Sequence, residues 1–281
     1  MKVYTVDVFT DAPLGGNPAG VALFEDALPG EEAMRAAAAK IGFSETAFVL
    51  PLGDGAFCIR YFTPVEEVPL CGHATVGAFS LMQRLGIIAE GGRYTARTGA
   101  GDITVDVRGG LVWLDMASPK ELFSLDDADA QTLLAMFALP KDTCGDLLPA
   151  AVDAGLPDIM LPIKSRDLLA AMNPDFDAIA LLSKQLGVTG VHAFAFAENA
   201  SAYCRNFAPL YGISEEAATG TSNGALTYYL YNRGKIKPGE TNLFVQGEAM
   251  GKPSKIYSML TLEADGAPKI RVGGSGVVRE G

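Results

Sequence analysis

The sequence predicts an α+β fold made of two similar halves, each mostly β-strands gathered around one central helix. Three observations carry that expectation. One stretch occurs twice: Arg60–Leu85, RYFTPVEEVPLCGHATVGAFSLMQRL, and Arg205–Arg233, RNFAPLYGISEEAATGTSNGALTYYLYNR. Both copies begin Arg-x-Phe-x-Pro and carry a Glu-Glu pair in a loop, and in both a Gly then opens a helix with Gly-Ala in its first turns. Around these helices the chain alternates apolar and polar residues with the period of strands, and helices are too few for the strict alternation of a doubly wound sheet. With 281 residues, the chain is long enough for two cores of roughly 100–150 residues each. The boundary falls after residue 117, giving an N-terminal half of residues 1–117 and a second half from 118 to 265. A duplicated unit further implies a site built where the two halves face each other.

Taken in order, Val3–Phe9 alternates as a strand and gives way to the Gly- and Pro-rich turn Asp11–Pro18. Gly20–Phe24 resumes as a strand. Pro29–Lys40 reads as a helix, with Glu31 and Glu32 in the first turn, Lys40 in the last and Gly42 at the left-handed end position. Phe43–Leu50 is a strand whose period places Phe43, Glu45, Ala47 and Val49 on one face. A carboxylate among apolar neighbours is an unusual placement; the alternative is a solvated strand end. Phe57–Phe62 leads into the first repeat. Asp102–Arg108 and Leu111–Met116 form a hairpin over Gly109-Gly110. A helix is expected from a Ser124 cap through Leu139, then strands at 151–154 and 158–163, helices at 166–172 and 174–186, and strands at 191–197 and 202–207. After the second repeat come strands at 242–246, 255–263 and 269–274.

Composition narrows the function. A net charge of −11 argues against a nucleic-acid partner, which needs a basic face to neutralise phosphates. No apolar run reaches the length of a membrane span, and the N-terminus lacks the apolar core of a signal peptide. The four cysteines, Cys58, Cys71, Cys144 and Cys204, are scattered without a C-x-x-C pair, which suits thiols in a cytoplasmic protein. No spacing of His, Cys or carboxylates matches a metal centre.

The two Gly-to-helix junctions, Gly72-His-Ala-Thr75 and Gly220-Thr-Ser-Asn223, are candidate carboxylate clamps. A helix N-terminus carries unpaired N–H groups and partial positive charge, and Gly lets a ligand approach the backbone. The plainer reading is two well-capped helices. His73 sits at one helix start, where the dipole favours a neutral imidazole. Cys71 precedes Gly72, but its counterpart Thr219 is a hydroxyl, so a symmetric two-thiol racemase is disfavoured and Cys71 reads as a small buried residue. His192 receives no role.

The motifs Asp7-Val-Phe-Thr, Gly16-Asn-Pro-Ala-Gly, Ser44-Glu-Thr-Ala-Phe, Cys71-Gly-His-Ala-Thr, Ala218-Thr-Gly-Thr-Ser, Gln246-Gly-x-x-Met-Gly-Lys-Pro-Ser and Val272-Gly-Gly occur in the order of the phenazine-biosynthesis PhzF-like isomerase family, which this chain resembles almost end to end. The resemblance implies a diaminopimelate-epimerase-like fold of two pseudo-symmetric domains, each a curled β-sheet or barrel around a central helix. The C-terminal strand, at about 266–281, would rejoin the first half, and the active site would lie in the cleft between them. It implies homodimers, no cofactor and no metal, and a small-molecule carboxylate as the substrate. Glu45 would be the catalytic acid/base and His73 its partner at the substrate. Gly72 and Gly220 would offer N–H groups to the carboxylate, with Asn17, Glu216 and Thr221 as further substrate-binding residues. The second loop departs from the family: Glu216-Ala217 stands where Asp-Pro is usual, and Thr221 where Ser is usual, so the phenazine substrate does not follow. The expected activity is a cofactor-independent proton shift. The alternatives are a carboxylate-binding protein without turnover and a racemase or epimerase of a small amino acid.

Overall fold

The computed structural model describes residues 1–279 of the chain; the last two residues of the strand expected at about 266–281 lie outside them. The chain forms two compact units, Met1–Asp115 with the segment starting at Gly273, and Met116–Val272. The first contains β1 (Tyr4–Val8), β2 (Asn17–Leu23), α1 (Glu31–Ile41), β3 (Thr46–Gly53), β4 (Ala56–Phe62), β5 (Glu67–Val68), α2 (Gly72–Arg84), β6 (Arg93–Thr98), β7 (Gly101–Arg108) and β8 (Leu111–Asp115). The second contains β9 (Lys120–Ser124), α3 (Asp127–Ala135), β10 (Ala150–Asp153), β11 (Pro157–Pro162), α4 (Arg166–Ala170), α5 (Phe176–Leu186), β12 (Gly190–Phe196) and β13 (Ala202–Ala208). It continues with β14 (Ile213–Glu216), α6 (Gly220–Asn232), β15 (Thr241–Gln246), β16 (Ser254–Leu262) and β17 (Pro268–Gly274), within which the unit boundary falls; β18 (Gly276–Val278) then belongs to the first unit.

Strand pairing shows the duplication directly. In the first unit β1–β2 is antiparallel, β2–β3 parallel, β3–β4 antiparallel, β4–β6 parallel and β6–β7 antiparallel, with the short β5 added to the end of β4. In the second, β10–β11, β11–β12, β12–β13, β13–β15 and β15–β16 repeat the same series, with β14 on the end of β13. Helices α2 and α6 occupy the same place in that series and have 13 residues each. Helix α2 packs on β18, β1, β2 and β3 and also on β8, so the sheet curls around it. His73 through Met82 are all buried, as a helix enclosed on every side requires.

The repeated Gly-Ala has a packing reason. A Cβ at Gly77 would lie 3.0 Å from a Val8 methyl, and one at Gly224 3.3 Å from a Val272 methyl. In each unit the central helix lies close against a strand at this residue, and a side chain there would press on the strand. The repeated Arg-x-Phe also acts alike in both units. Arg60 forks onto Glu67 and lies over the Phe62 ring; Arg205 forks onto Glu215 and lies over the Phe207 ring.

Several elements differ from the sequence reading. The helix expected from Ser124 starts instead at Asp127, capped by Asp126, whose carboxylate accepts from the N–H groups of Ala128 and Asp129. Two bonds to a carboxylate outweigh the single hydroxyl that Ser124 offers, and Lys120–Ser124 pairs with β10 as a strand. Strand β3 begins one residue after Glu45. The expected α1 is present, with Gly42 left-handed at φ 73° and its N–H bonded to Ala38.

Candidate active site

Glu45 is placed from both sides. Its carbonyl accepts from the Gly20 N–H at 3.1 Å, and the next residue, Thr46, pairs with Gly20 in the parallel β2–β3 ladder. Gly20 is required there, because a Cβ would come within 2.5 Å of Thr46 Oγ1. The Glu45 side chain is 22% exposed and its Oε2 lies 3.5 Å from His73 Nε2. On the far side of the ring, His73 Nδ1 lies 3.2 Å from Cys71 Sγ.

His73 is 8% exposed, and burial holds its pKa below the usual value, against the opposing pull of Glu45. The direction matches the sequence expectation, but the leading cause is desolvation rather than the helix dipole. A neutral ring protonated at Nε2 suits both neighbours. Nε2–H then points at the Glu45 carboxylate, and Nδ1 accepts from the Cys71 thiol. Among the described residues Nε2 makes no hydrogen bond, so a ligand atom is a natural acceptor. Cys71 is buried, as the sequence suggested, and its thiol contacts His73. The donor atoms of Glu45, Cys71 and His73 all lie within 4.8 Å of one another, a proximity that sequence spacing does not reveal. The ring faces the thiol with one nitrogen and the carboxylate with the other.

The plainer reading of the two helix starts was side-chain capping. Neither N-cap residue, Cys71 or Thr219, caps its helix with a side-chain hydrogen bond. At Gly72 a Cβ would meet no atom within 4 Å, so the backbone is open on the side where a side chain would stand. Behind them, Thr75 Oγ1 donates to the Cys71 carbonyl at 2.7 Å and accepts from the Tyr61 hydroxyl at 2.6 Å. Asn17, the first residue of β2, is buried opposite Val8. Its position depends on Gly16, at φ 65°, where a Cβ would collide with the Val8 carbonyl at 2.0 Å. Asp7, fully buried beneath this loop, holds it through the Leu14 N–H and is itself held by Arg279.

The second unit carries Glu216, Gly220 and Thr221. Of the Glu215-Glu216 pair, Arg205 takes Glu215, whereas in the first repeat Arg60 takes the second Glu, Glu67. Glu216 instead accepts from Thr219 Oγ1 at 2.6 Å. Behind it runs a polar chain the sequence reading left without a role: Gln246, Asn223, His192, Asn206, Ser222 and Asp158. Burial holds the pKa of His192 down to about 4 and pushes that of Asp158 up to about 6.

A carboxylate, a neutral imidazole and a thiol are grouped at the N-terminus of a buried helix, and each is a side chain capable of acid–base chemistry. Comparison with known proteins agrees with that class. The chain belongs to the family described as phenazine biosynthesis-like protein, whose model matches residues 6–281, and it is an isomerase. It is similar to an uncharacterized isomerase of Deinococcus radiodurans, 35% identical over 98% of this chain and 92% of the relative. It is also similar to trans-2,3-dihydro-3-hydroxyanthranilate isomerase of Pseudomonas fluorescens, 30% identical over 97% of this chain and 95% of the relative. The crystal structure of a Bacillus anthracis phenazine biosynthesis protein of the PhzF family superposes with a TM-score of 0.88 at 26% identity, covering 100% of this chain and 98% of that one. A structure described as a probable proline racemase of Agrobacterium radiobacter shares the fold, with a TM-score of 0.65 at 14% identity, covering 99% of this chain and 90% of that one. Among the described residues no helix is long and apolar enough to cross a membrane.

Proposed function

We propose that the protein moves a proton between carbons of a small, cyclic or unsaturated amino or hydroxy carboxylic acid, with Glu45 as the single general acid/base and no cofactor. The observation that carries this reading is the Glu45–His73 pair, with a half-sheltered carboxylate 3.5 Å from a buried, neutral imidazole at the start of α2. The ionised Glu45 takes a proton from one carbon. The electron pair left behind delocalises through the adjacent unsaturation. The proton on the resulting acid exchanges with solvent at the partly exposed side chain, and the acid delivers a solvent-derived proton to another carbon. His73 Nε2–H donates a hydrogen bond to substrate beside the Glu45 carboxylate. The Gly72 end of α2 receives the substrate carboxylate, where N–H groups and the helix dipole favour an anion. Asn17, Glu216, Gly220 and Thr221 are substrate-binding residues in this reading. A homodimer and a cytoplasmic location complete it, the latter supported by scattered cysteines without a paired motif.

The test is a screen in deuterated water of trans-2,3-dihydro-3-hydroxyanthranilate and of cyclic and unsaturated amino and hydroxy acids. Carbon-bound deuterium should appear in at least one of them. Saturable binding without deuterium uptake by any bound acid would favour a carboxylate-binding protein instead.

Gly72→Ala tests the carboxylate clamp. The added methyl meets no protein atom and stiffens a helical residue, so stability should hold or rise by about 0.4–1 kcal/mol. The same methyl occupies the space beside the N–H groups and should raise KM by roughly tenfold, about 1.4 kcal/mol of lost binding. An unchanged KM with the turned-over acid would remove Gly72 from the site.

A further inference from the structure

The polar chain in the second unit has a defined direction. His192 is fully buried and neutral, so only one ring nitrogen carries a proton. Asn206 Nδ2, 3.3 Å from Nδ1, can only donate, which makes Nδ1 the acceptor and leaves Nε2–H to donate to Asn223 Oδ1 at 3.3 Å. Asn223 Nδ2 must then donate, and it does so twice, to Gln246 Oε1 and to the Thr219 carbonyl, both at 2.8 Å. Gln246 Nε2 donates to the Glu216 carbonyl at 2.7 Å and to Thr219 Oγ1 at 3.1 Å. With a donor already facing it, the Thr219 hydroxyl points its own proton at Glu216 Oε2, 2.6 Å away. At the other end Asn206 Nδ2 donates to Ser222 Oγ at 3.1 Å, and Ser222 donates to the Asp158 carboxylate.

The chain thus runs from a buried carboxylate to a partly exposed one, and each link fixes the hydrogen orientation of the next. At these places the first unit carries a shorter arrangement, in which the Tyr61 hydroxyl bonds to Thr75 Oγ1 and Thr75 Oγ1 donates to the Cys71 carbonyl. The residue after the repeated Arg is Tyr61 there and Asn206 here, and the fourth residue of the central helix is Thr75 there and Asn223 here. Only in the second copy do amide side chains at these positions extend the arrangement, through Gln246 and Thr219, to the Glu216 carboxylate.

We propose that this chain of hydrogen bonds fixes the Glu216 carboxylate for substrate binding, which makes Thr219, Gln246 and Asn223 positioning residues for the isomerisation. The proposal rests on the reading of Glu216 as a substrate contact. It explains why Arg205 takes Glu215: that choice leaves the second acidic group of the pair to be aimed by Thr219.

Thr219→Val keeps the branched shape and removes the hydroxyl, and Thr219→Ser keeps the hydroxyl. With the dihydro-hydroxyanthranilate probe, Thr219→Val should raise KM roughly tenfold with kcat changed less than about threefold, and Thr219→Ser should restore the wild-type KM. Asn223→Asp cannot donate to Gln246 and should raise KM in the same way. Combined with Thr219→Val it should add little, because both break one chain. Wild-type KM in Thr219→Val would overturn the proposal. A crystal structure of Thr219→Val gives a readout free of activity: the Glu216 carboxylate should leave its present rotamer, and an unmoved Glu216 overturns the proposal whatever the kinetics. A wild-type enzyme inactive on the probe, with Glu216 displaced in the variant, would count against the proposed function and not against the network.

Discussion

Glu45→Gln is expected to slow isomerisation by roughly 10²- to 10⁴-fold, the share that a positioned general acid/base supplies, while stability stays within about 0.5 kcal/mol of wild type. The amide matches the carboxyl in size and cannot take up a carbon-bound proton. Little structural support is lost. The main-chain bond that seats this residue, Gly20 N–H to the Glu45 carbonyl, does not involve the side chain, and the side chain is 22% exposed. Turnover of the acid identified in the deuterium screen measures the first quantity, and the midpoint of urea unfolding the second. If activity and stability fell together, Glu45 would be a structural residue. If neither changed, the proton would have to be moved by another group, with Cys71 the nearest candidate through its contact with His73.

The second large effect is on stability against pH. Asp158, 2% exposed, has its pKa pushed up by burial to about 6, above the 3.8 of an exposed Asp. The folded state therefore holds this proton more tightly than the unfolded one. The resulting stabilisation is fully present below pH 3.8 and is lost as pH rises through 6, a change of about 3 kcal/mol. His192 works in the opposite sense. Its pKa is held down to about 4 from 6.5, so the stability it contributes is present above 6.5 and is lost as pH falls through 4. The two slopes oppose each other over nearly one window. Asp158→Asn removes the first and leaves the second. On going from pH 7 to pH 4, the unfolding free energy of the variant should fall relative to wild type by about 2–3 kcal/mol. Urea unfolding at both pH values measures the difference, and a pH-independent difference would mean that Asp158 does not titrate in this window.

Much of the fold was legible because its signals are local. The Gly77-Ala78 and Gly224-Ala225 pairs, the twin Arg-x-Phe segments and the Gly42 helix end each show in a few adjacent residues what the backbone must do there. Glu45 drew attention in the sequence as a carboxylate beside Phe43 and Ala47 in an alternating segment, although the strand itself begins only at Thr46. What could not be read was competition and long-range pairing. Ser124 and Asp126 both qualify as helix caps, and only the two N–H groups that converge on Asp126 decide between them. Either Glu of the 215–216 pair could have answered Arg205, and the choice depends on how β14 turns back onto β13. His192 carried no signal at all, because its partners Asn206 and Asn223 lie 14 and 31 residues away along the chain. Cys71 looked inert until α2 turned it onto the ring of His73.

The central claim is that one carboxyl group, Glu45, carries the proton. Single-turnover reaction of wild type and Glu45→Gln in deuterated water, with the position of carbon-bound deuterium read by NMR, tests it most directly. Wild type should place deuterium at the newly protonated carbon. Glu45→Gln, folded and still binding the acid, should place none. Deuterium at that carbon at the wild-type rate in Glu45→Gln would contradict the account.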